Sequence, residues 1–266
     1  MTFFEILILA IIQGITEFLP ISSSGHLLLP AALLGWKEQG LAFDVAVHVG
    51  SLLAVILYFR QDILHMATAW LTEGFRKQQS ADSRLAWFVV LATLPAVLVG
   101  FALKDLIELY ARTPMVIAVT TIGFGLLLWY ADATAKRQQQ LDTLTLRQAM
   151  MVGLAQVLAL IPGTSRSGIT MTAGLMLGLD RESCARFSFL LSIPVILGAG
   201  TLATLDLVSE PHHIDWAILG YGALFSFVSA YACIYLFLSW ISRIGMLPFV
   251  IYRLILGVGL LFFIAG

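Results

Sequence analysis

Charge is what this sequence has least of. Only 12% of its 266 residues are Asp, Glu, Lys or Arg, where a soluble domain carries about 25%. A chain so poor in ionic groups cannot cover itself with polar surface. That excludes a freely soluble globule and leaves lipid as the surrounding medium. Cysteine is scarce too. Cys184 and Cys233 stand singly inside apolar stretches, which reads as two small apolar residues and not as paired redox or metal-binding thiols. The net charge of −1 holds no basic surplus, so no nucleic-acid partner is expected.

Hydrophobicity fills the gap: 59% of residues are apolar and the mean hydropathy is +0.93. The opening run Met1-Thr-Phe-Phe-Glu-Ile-Leu-Ile-Leu-Ala10 lacks a basic start and a small-residue cleavage site, so it reads as a first membrane segment. Six stretches approach the ~20 apolar residues that cross a bilayer: 43–59, 85–103, 114–130, 185–205, 216–240 and 247–264. Two more, 2–35 and 146–179, are apolar but broken by Pro20-Ile-Ser-Ser-Ser-Gly25 and Pro162-Gly-Thr-Ser-Arg-Ser-Gly168. A proline removes a backbone donor and clashes with the preceding turn, so a helix should stop at each. Bare backbone at membrane depth is tolerated only inside protein or beside water. The expected fold is therefore all-α and polytopic: six transmembrane helices plus two re-entrant helix–break–helix hairpins.

Loop charges orient this scheme. Arg60, Arg76, Lys77 and Arg84 fall in one loop and Lys136, Arg137 and Arg147 in another, while the loop 206–215 has neither Lys nor Arg. The positive-inside rule puts the first two loops in the cytoplasm and the third outside. Residue 40 then lies outside and residues near 147 and 181 inside, so the two hairpins enter from opposite faces. The chain reads as one membrane domain of two inverted halves, 1–131 and 132–266. Leu19-Pro-Ile-Ser-Ser-Ser-Gly25 matches Ile161-Pro-Gly-Thr-Ser-Arg-Ser-Gly168 with one residue inserted. Inverted repeats with broken helices are common in secondary transporters, which makes transport a rival to catalysis. The apolar stretch 63–70 reads as a helix along the cytoplasmic interface.

The chemistry is expected at the breaks. Gln13 and Glu17 are four apart, so they share the helix face that leads to Pro20. A carboxylate in lipid needs a partner, a metal or water. Ser22, Ser23 and Ser24 can cap the next helix, but three hydroxyls before Gly25-His26 exceed what a cap requires. His26 is a candidate acid, base or nucleophile. In the second break Arg166 stands among Gly163, Thr164, Ser165, Ser167 and Gly168, with Thr170 one turn on. A guanidinium fork matches phosphate oxygens, a helix start favours an anion, and glycines allow close approach. Together these residues read as a phosphate cradle; a structural Arg166–Glu17 pair is compatible with it. Asp44 and His48 either line the cavity or pack against the first hairpin.

Gln13-Gly-Ile-Thr-Glu-Phe-Leu-Pro-Ile-Ser-Ser-Ser-Gly-His26 and Pro162-Gly-Thr-Ser-Arg-Ser-Gly168 resemble the two signature motifs of the undecaprenyl-diphosphate phosphatase family, the bacitracin-resistance type. Further similarity runs through Phe187-Ser-Phe-Leu-Leu-Ser-Ile-Pro194 and Pro248-Phe-Val-Ile-Tyr-Arg253. The resemblance implies a bacterial inner-membrane enzyme that hydrolyses undecaprenyl diphosphate to the monophosphate, recycling the lipid carrier of peptidoglycan synthesis. It implies a divalent cation, Mg2+ or Ca2+, a site open to the periplasm, and bacitracin as a competitor for the substrate. A homodimer is compatible with it. In the family either Glu or Gln opens the acidic motif. Gln13 leaves one carboxylate fewer here, and Glu17 with Gln13 is the expected metal position. The nucleophile is His26, Ser23 or water. The alternatives are a transporter or flippase of a phosphorylated prenyl lipid and a structural scaffold.

Overall fold

Helix is the form in which a chain this apolar can satisfy its backbone in lipid, and among the described residues no strand forms. The computed structural model describes residues 1–265 except 24, 28–29, 31–34, 37–38, 112 and 210–214. We number its α-helices α1 (Phe3–Phe18), α2 (Leu41–Tyr58), α3 (Arg60–Glu73), α4 (Ala81–Ala102), α5 (Lys104–Tyr110), α6 (Pro114–Thr134), α7 (Leu146–Gln156), α8 (Arg166–Met176), α9 (Arg181–Ser209), α10 (Trp216–Ile244) and α11 (Leu247–Ala265). Six of them, α2, α4, α6, α9, α10 and α11, have the length and hydropathy to cross a membrane. The chain is a multi-pass membrane protein.

Both interrupted segments stop at their prolines. α1 starts on a reciprocal cap, in which Thr2 accepts from the Glu5 amide and Glu5 accepts from the Thr2 amide. It ends at Phe18, where Leu19 turns extended ahead of Pro20, and residues 23 and 25–27 are helical again. α7 runs into a 3-10 turn, Val157–Leu160, and then the Pro162 break, before α8 begins. Each break passes through a serine in the left-handed region: Ser22 at φ 75° and Ser165 at φ 72°. Such a backbone is strained for a residue with a side chain and persists only where the surroundings hold it.

Two helices start earlier than their apolar stretches: α3 at Arg60 and α9 at Arg181, where the Asp180 side chain accepts from the Ser183 amide. Hydropathy does not see polar first turns. The short helix α5 also forms where no element was expected.

α10 is the central post. α1 and α2 lie against it through glycines: a Cβ at Gly14 would sit 2.6 Å from the Ser226 carbonyl oxygen, and one at Gly50 would collide with the Ala223 carbonyl. Small residues replace the missing hydrophobic drive between helices in lipid, because they let backbones approach. Phe18, at the end of α1, packs edge-on against Phe189 of α9 (5.2 Å between centroids), which also meets Phe59 and Phe237. This aromatic cluster fixes the end of α1 on which Glu17 stands. Asp132, at the end of α6, takes a two-pronged bond from Arg181 (2.7 and 2.9 Å) and a third from the Met246 amide (3.2 Å). Three helix ends are thereby tied at one carboxylate.

Candidate active site

Glu17 and Arg166 are 149 positions apart in sequence and meet at 3.2 Å, Arg166 Nη2 donating to Glu17 Oε1. The guanidinium also donates through Nη1 to the Ser188 carbonyl at 2.8 Å. With five N–H groups on the fork, donors are left over for a ligand. Oε2 of Glu17 accepts from Gln13 Nε2 at 3.0 Å and from Ser23 Oγ at 2.8 Å. The pair is almost wholly withdrawn from solvent, with side chains 8% and 12% exposed. Withdrawing both charges from water offsets much of their attraction, so a pair this buried is weak grounds for net stability.

Both residues line a cavity of about 350 Å3 together with Ser22, Ser23, Ser165 and His48. Asp44 lines it as well, so the two readings of Asp44 and His48 resolve in favour of the cavity. His48 Nδ1 donates to the Asp44 carbonyl (2.7 Å), which turns Nε2 towards Glu17 Oε2 at 3.8 Å. Arg166 is the first residue of α8. Ser165 caps that helix by accepting from the Gly168 amide at 3.1 Å, and both Ser165 and Arg166 face the cavity. A helix start, a guanidinium and hydroxyls therefore share one wall, as a phosphate requires.

The rest of the expected cradle serves to hold this wall. Ser167 Oγ donates to the Leu19 carbonyl of the other break at 2.8 Å. Thr170 Oγ1 lies 2.8 Å from Ser188 Oγ and donates to the Arg166 carbonyl. Gly163 (φ 88°) packs on α6, where a Cβ would lie 2.6 Å from the Ile117 carbonyl oxygen. Thr164 is fully buried, and Gly25 and Gly168 also lie off the cavity surface. Ser24 lies outside the described residues. His26 is set apart from Glu17 and Arg166: it is buried and does not line the cavity. Its Nδ1 lies 2.7 Å from the Ser22 carbonyl, which can only accept, so Nδ1 donates. Nε2 then accepts from the Tyr252 hydroxyl at 2.6 Å. Both nitrogens are engaged, and the imidazole steadies the strained serine.

One residue escaped the reading of the chemistry. Arg253 is fully buried in α11. Nη1 donates to the carbonyls of Pro20 (3.1 Å) and Thr164 (2.9 Å). Nη2 reaches those of Gly163 (3.0 Å) and Thr120 (3.4 Å), and Nε that of Thr121 (3.0 Å). One side chain thus bolts both breaks to α6, and among the described residues no carboxylate pairs with it. The signal was present: an arginine amid an otherwise apolar span is a functional hypothesis by default.

A hard cation would find few protein ligands here. Gln13 Oε1 is buried with no hydrogen-bond partner, while the amide turns its Nε2 to Glu17 and Gln13 does not line the cavity. Among the described residues no three His, Cys, Asp or Glu side chains gather into a cage. An ion held there would take most of its ligands from phosphate and water, which is the habit of Mg2+.

Known proteins bear on this arrangement. Undecaprenyl-diphosphatase of Alteromonas mediterranea is 76% identical over 264 residues, 99% of each chain. Undecaprenyl-diphosphatase 1 of Pseudoalteromonas translucida is 57% identical over the same share. The pattern of the family described as bacitracin resistance protein BacA matches residues 6–259, and the chain belongs to that family.

Proposed function

We propose that this protein hydrolyses undecaprenyl diphosphate to undecaprenyl phosphate and inorganic phosphate, recycling the lipid carrier for peptidoglycan synthesis. The observation that carries the reading is the single carboxylate, Glu17, that holds a guanidinium and a serine hydroxyl in one cavity among membrane helices. Arg166 binds the terminal phosphate and offsets the charge that grows on its oxygens. Ser23 Oγ attacks that phosphorus, and its proton passes to Glu17. The bond to the bridging oxygen breaks, prenyl monophosphate leaves with the proton that Glu17 took from Ser23, and a phosphoserine remains. Water, deprotonated by the freed Glu17 carboxylate, then attacks the phosphoserine; phosphate leaves and the proton passes from Glu17 to Ser23 Oγ. Ser23 is preferred to His26 as nucleophile because its hydroxyl lies on the carboxylate, while both nitrogens of His26 are occupied.

Gln13 Oε1 and Glu17 are the protein oxygens that would hold a Mg2+ or Ca2+ ion, which when bound supplies neutralising charge to the diphosphate. The protein sits in the bacterial inner membrane, and the cavity opens to the periplasm. It lies at the α2 end that follows residue 40 and at the α9 end that precedes the loop without Lys or Arg, the faces the positive-inside rule puts outside. The repeat of 1–131 and 132–266 draws support from the matched backbones at Ser22 and Ser165. Competition by bacitracin for the diphosphate, and a homodimer, belong to the same reading.

The test is phosphate release from undecaprenyl diphosphate in detergent, where a transporter has no two sides to connect. Release by the wild type, its loss in Ser23→Ala, and a trapped phosphoserine at position 23 support the assignment. No release from any prenyl diphosphate would leave the transporter or flippase standing. A cysteine placed at Gln39 should react with an impermeant reagent from outside, and one at Gln138 only after permeabilisation.

A further inference from the structure

A lipid diphosphate has two ends, and the cavity around Glu17 and Arg166 accounts for one. Four of the residues that line it, Val45, His48, Ile196 and Gly200, also line a second space of about 300 Å3 between α2 and α9. Beyond those shared residues the second space is walled by Val49 and Leu52 from α2 and by Leu197, Thr201, Thr204 and Leu205 from α9, and the two threonine hydroxyls are spent on the carbonyls of Leu197 and Gly200. Val49, Leu197 and Leu205 are 41%, 50% and 63% exposed, so the space lies open at the outer wall of the helix bundle, where lipid is. Positions 45, 49 and 52 are spaced by four and three on α2, and 196, 200 and 204 by fours on α9. Each set forms one stripe along its helix, so the two walls make a furrow about 12 Å long beside the cavity.

We infer that this furrow is the binding site for the first isoprene units of the substrate, and that Gly200 keeps its inner mouth open. The inference rests on the proposed phosphatase reading. Polar cavity and apolar furrow are joined in the order of phosphate and prenyl chain, and the rest of the tail remains in bulk lipid. Gly200 has no packing duty that would explain it: a Cβ there would meet no atom within 4 Å. Glycine in a helix interior costs about 1 kcal/mol relative to alanine, and here the open space is what the missing side chain provides. An annular lipid chain resting in the furrow is the competing occupant.

Gly200→Phe puts a ring at the mouth, starting from a position where a Cβ meets no atom within 4 Å. The KM for undecaprenyl and farnesyl diphosphate should rise about tenfold or more, because even one excluded isoprene unit forfeits that much apolar burial. The effect should fall on KM more than on maximal rate, since Glu17, Ser23 and Arg166 are unchanged. Gly198→Phe is the control. It also projects into open space on α9 but lines neither cavity nor furrow, and should leave KM unchanged. An unaltered KM in Gly200→Phe overturns the assignment and leaves the furrow to annular lipid. Should the variant misfold, wild-type protein can be photolabelled with a prenyl diphosphate bearing a diazirine on its first isoprene unit. Label within 45–52 and 196–205 supports the furrow, and label elsewhere refutes it. Wild type that takes the label there yet releases no phosphate would refute the catalytic reading and leave the tail site intact.

Discussion

Arg253→Lys separates positioning from charge at the centre of this molecule. The substitution keeps one positive charge but replaces a planar fork of five donors with a single ammonium of three. The native side chain spans carbonyls on three elements: Pro20 in the first break, Gly163 and Thr164 in the second, and Thr120 and Thr121 in α6. The three break carbonyls matter most, because no helix ladder serves them. A lysine can reach two or three of the five. Each buried carbonyl left without a donor costs about 1–3 kcal/mol, partly offset because a smaller donor array is easier to desolvate. We expect a net loss of about 2–4 kcal/mol, seen as a lower melting temperature in detergent. The breaks also lose their common bolt. A shift of about 1 Å between Ser23 and Arg166 is enough to cost roughly a hundredfold in rate. The assay is phosphate release at saturating lipid beside thermal unfolding, with Arg253→Leu as the extreme case in which the fold is expected to fail. Wild-type rate and melting temperature in Arg253→Lys would refute the reasoning.

Arg166→Lys should fold normally and lose about 100-fold or more in kcat/KM, since a point charge cannot pair two phosphate oxygens while holding Ser188; near-normal turnover would remove the clamp. If His26 steadies the Ser22 turn through its bond to Tyr252, Tyr252→Phe and His26→Gln should both lower activity partially, by about tenfold. A nucleophilic His26 would instead make His26→Gln inactive and leave Tyr252→Phe close to wild type. Asp132→Asn keeps the shape but weakens a two-pronged charged bond and the Met246 contact. It should lower stability by about 2–3 kcal/mol without changing the KM for lipid, a split read from unfolding curves and kinetics together.

The fold was largely legible because its causes are local. Runs of apolar residues mark the six spans, and two prolines followed by serines mark the breaks. Glu17 and Arg166 were legible because an ionic group at membrane depth demands a reason. Arg253 obeys the same rule, yet its partners are main-chain oxygens, and nothing in the sequence around Pro20 or Gly163 names the side chain that will bind them. The bonds that Ser167 and Thr170 make to neighbouring groups were hidden for the opposite reason. A hydroxyl in a phosphate-like motif looks like a ligand until the helix phase and the neighbouring backbone show it turned inward. That His48 turns an imidazole towards Glu17 was not legible, since sequence gives the spacing along each helix but not which imidazole faces the carboxylate of another.

The frame of the site is fastened to carbonyl oxygens. Ser167 holds that of Leu19, His26 that of Ser22, Arg166 that of Ser188, and Arg253 those of both breaks. A carbonyl is present whatever side chain its residue carries. Alanine scanning would therefore pass over Leu19 and Thr164 as dispensable although their main chains anchor the reacting groups. In this protein, silence under mutation is no measure of a position's distance from the chemistry.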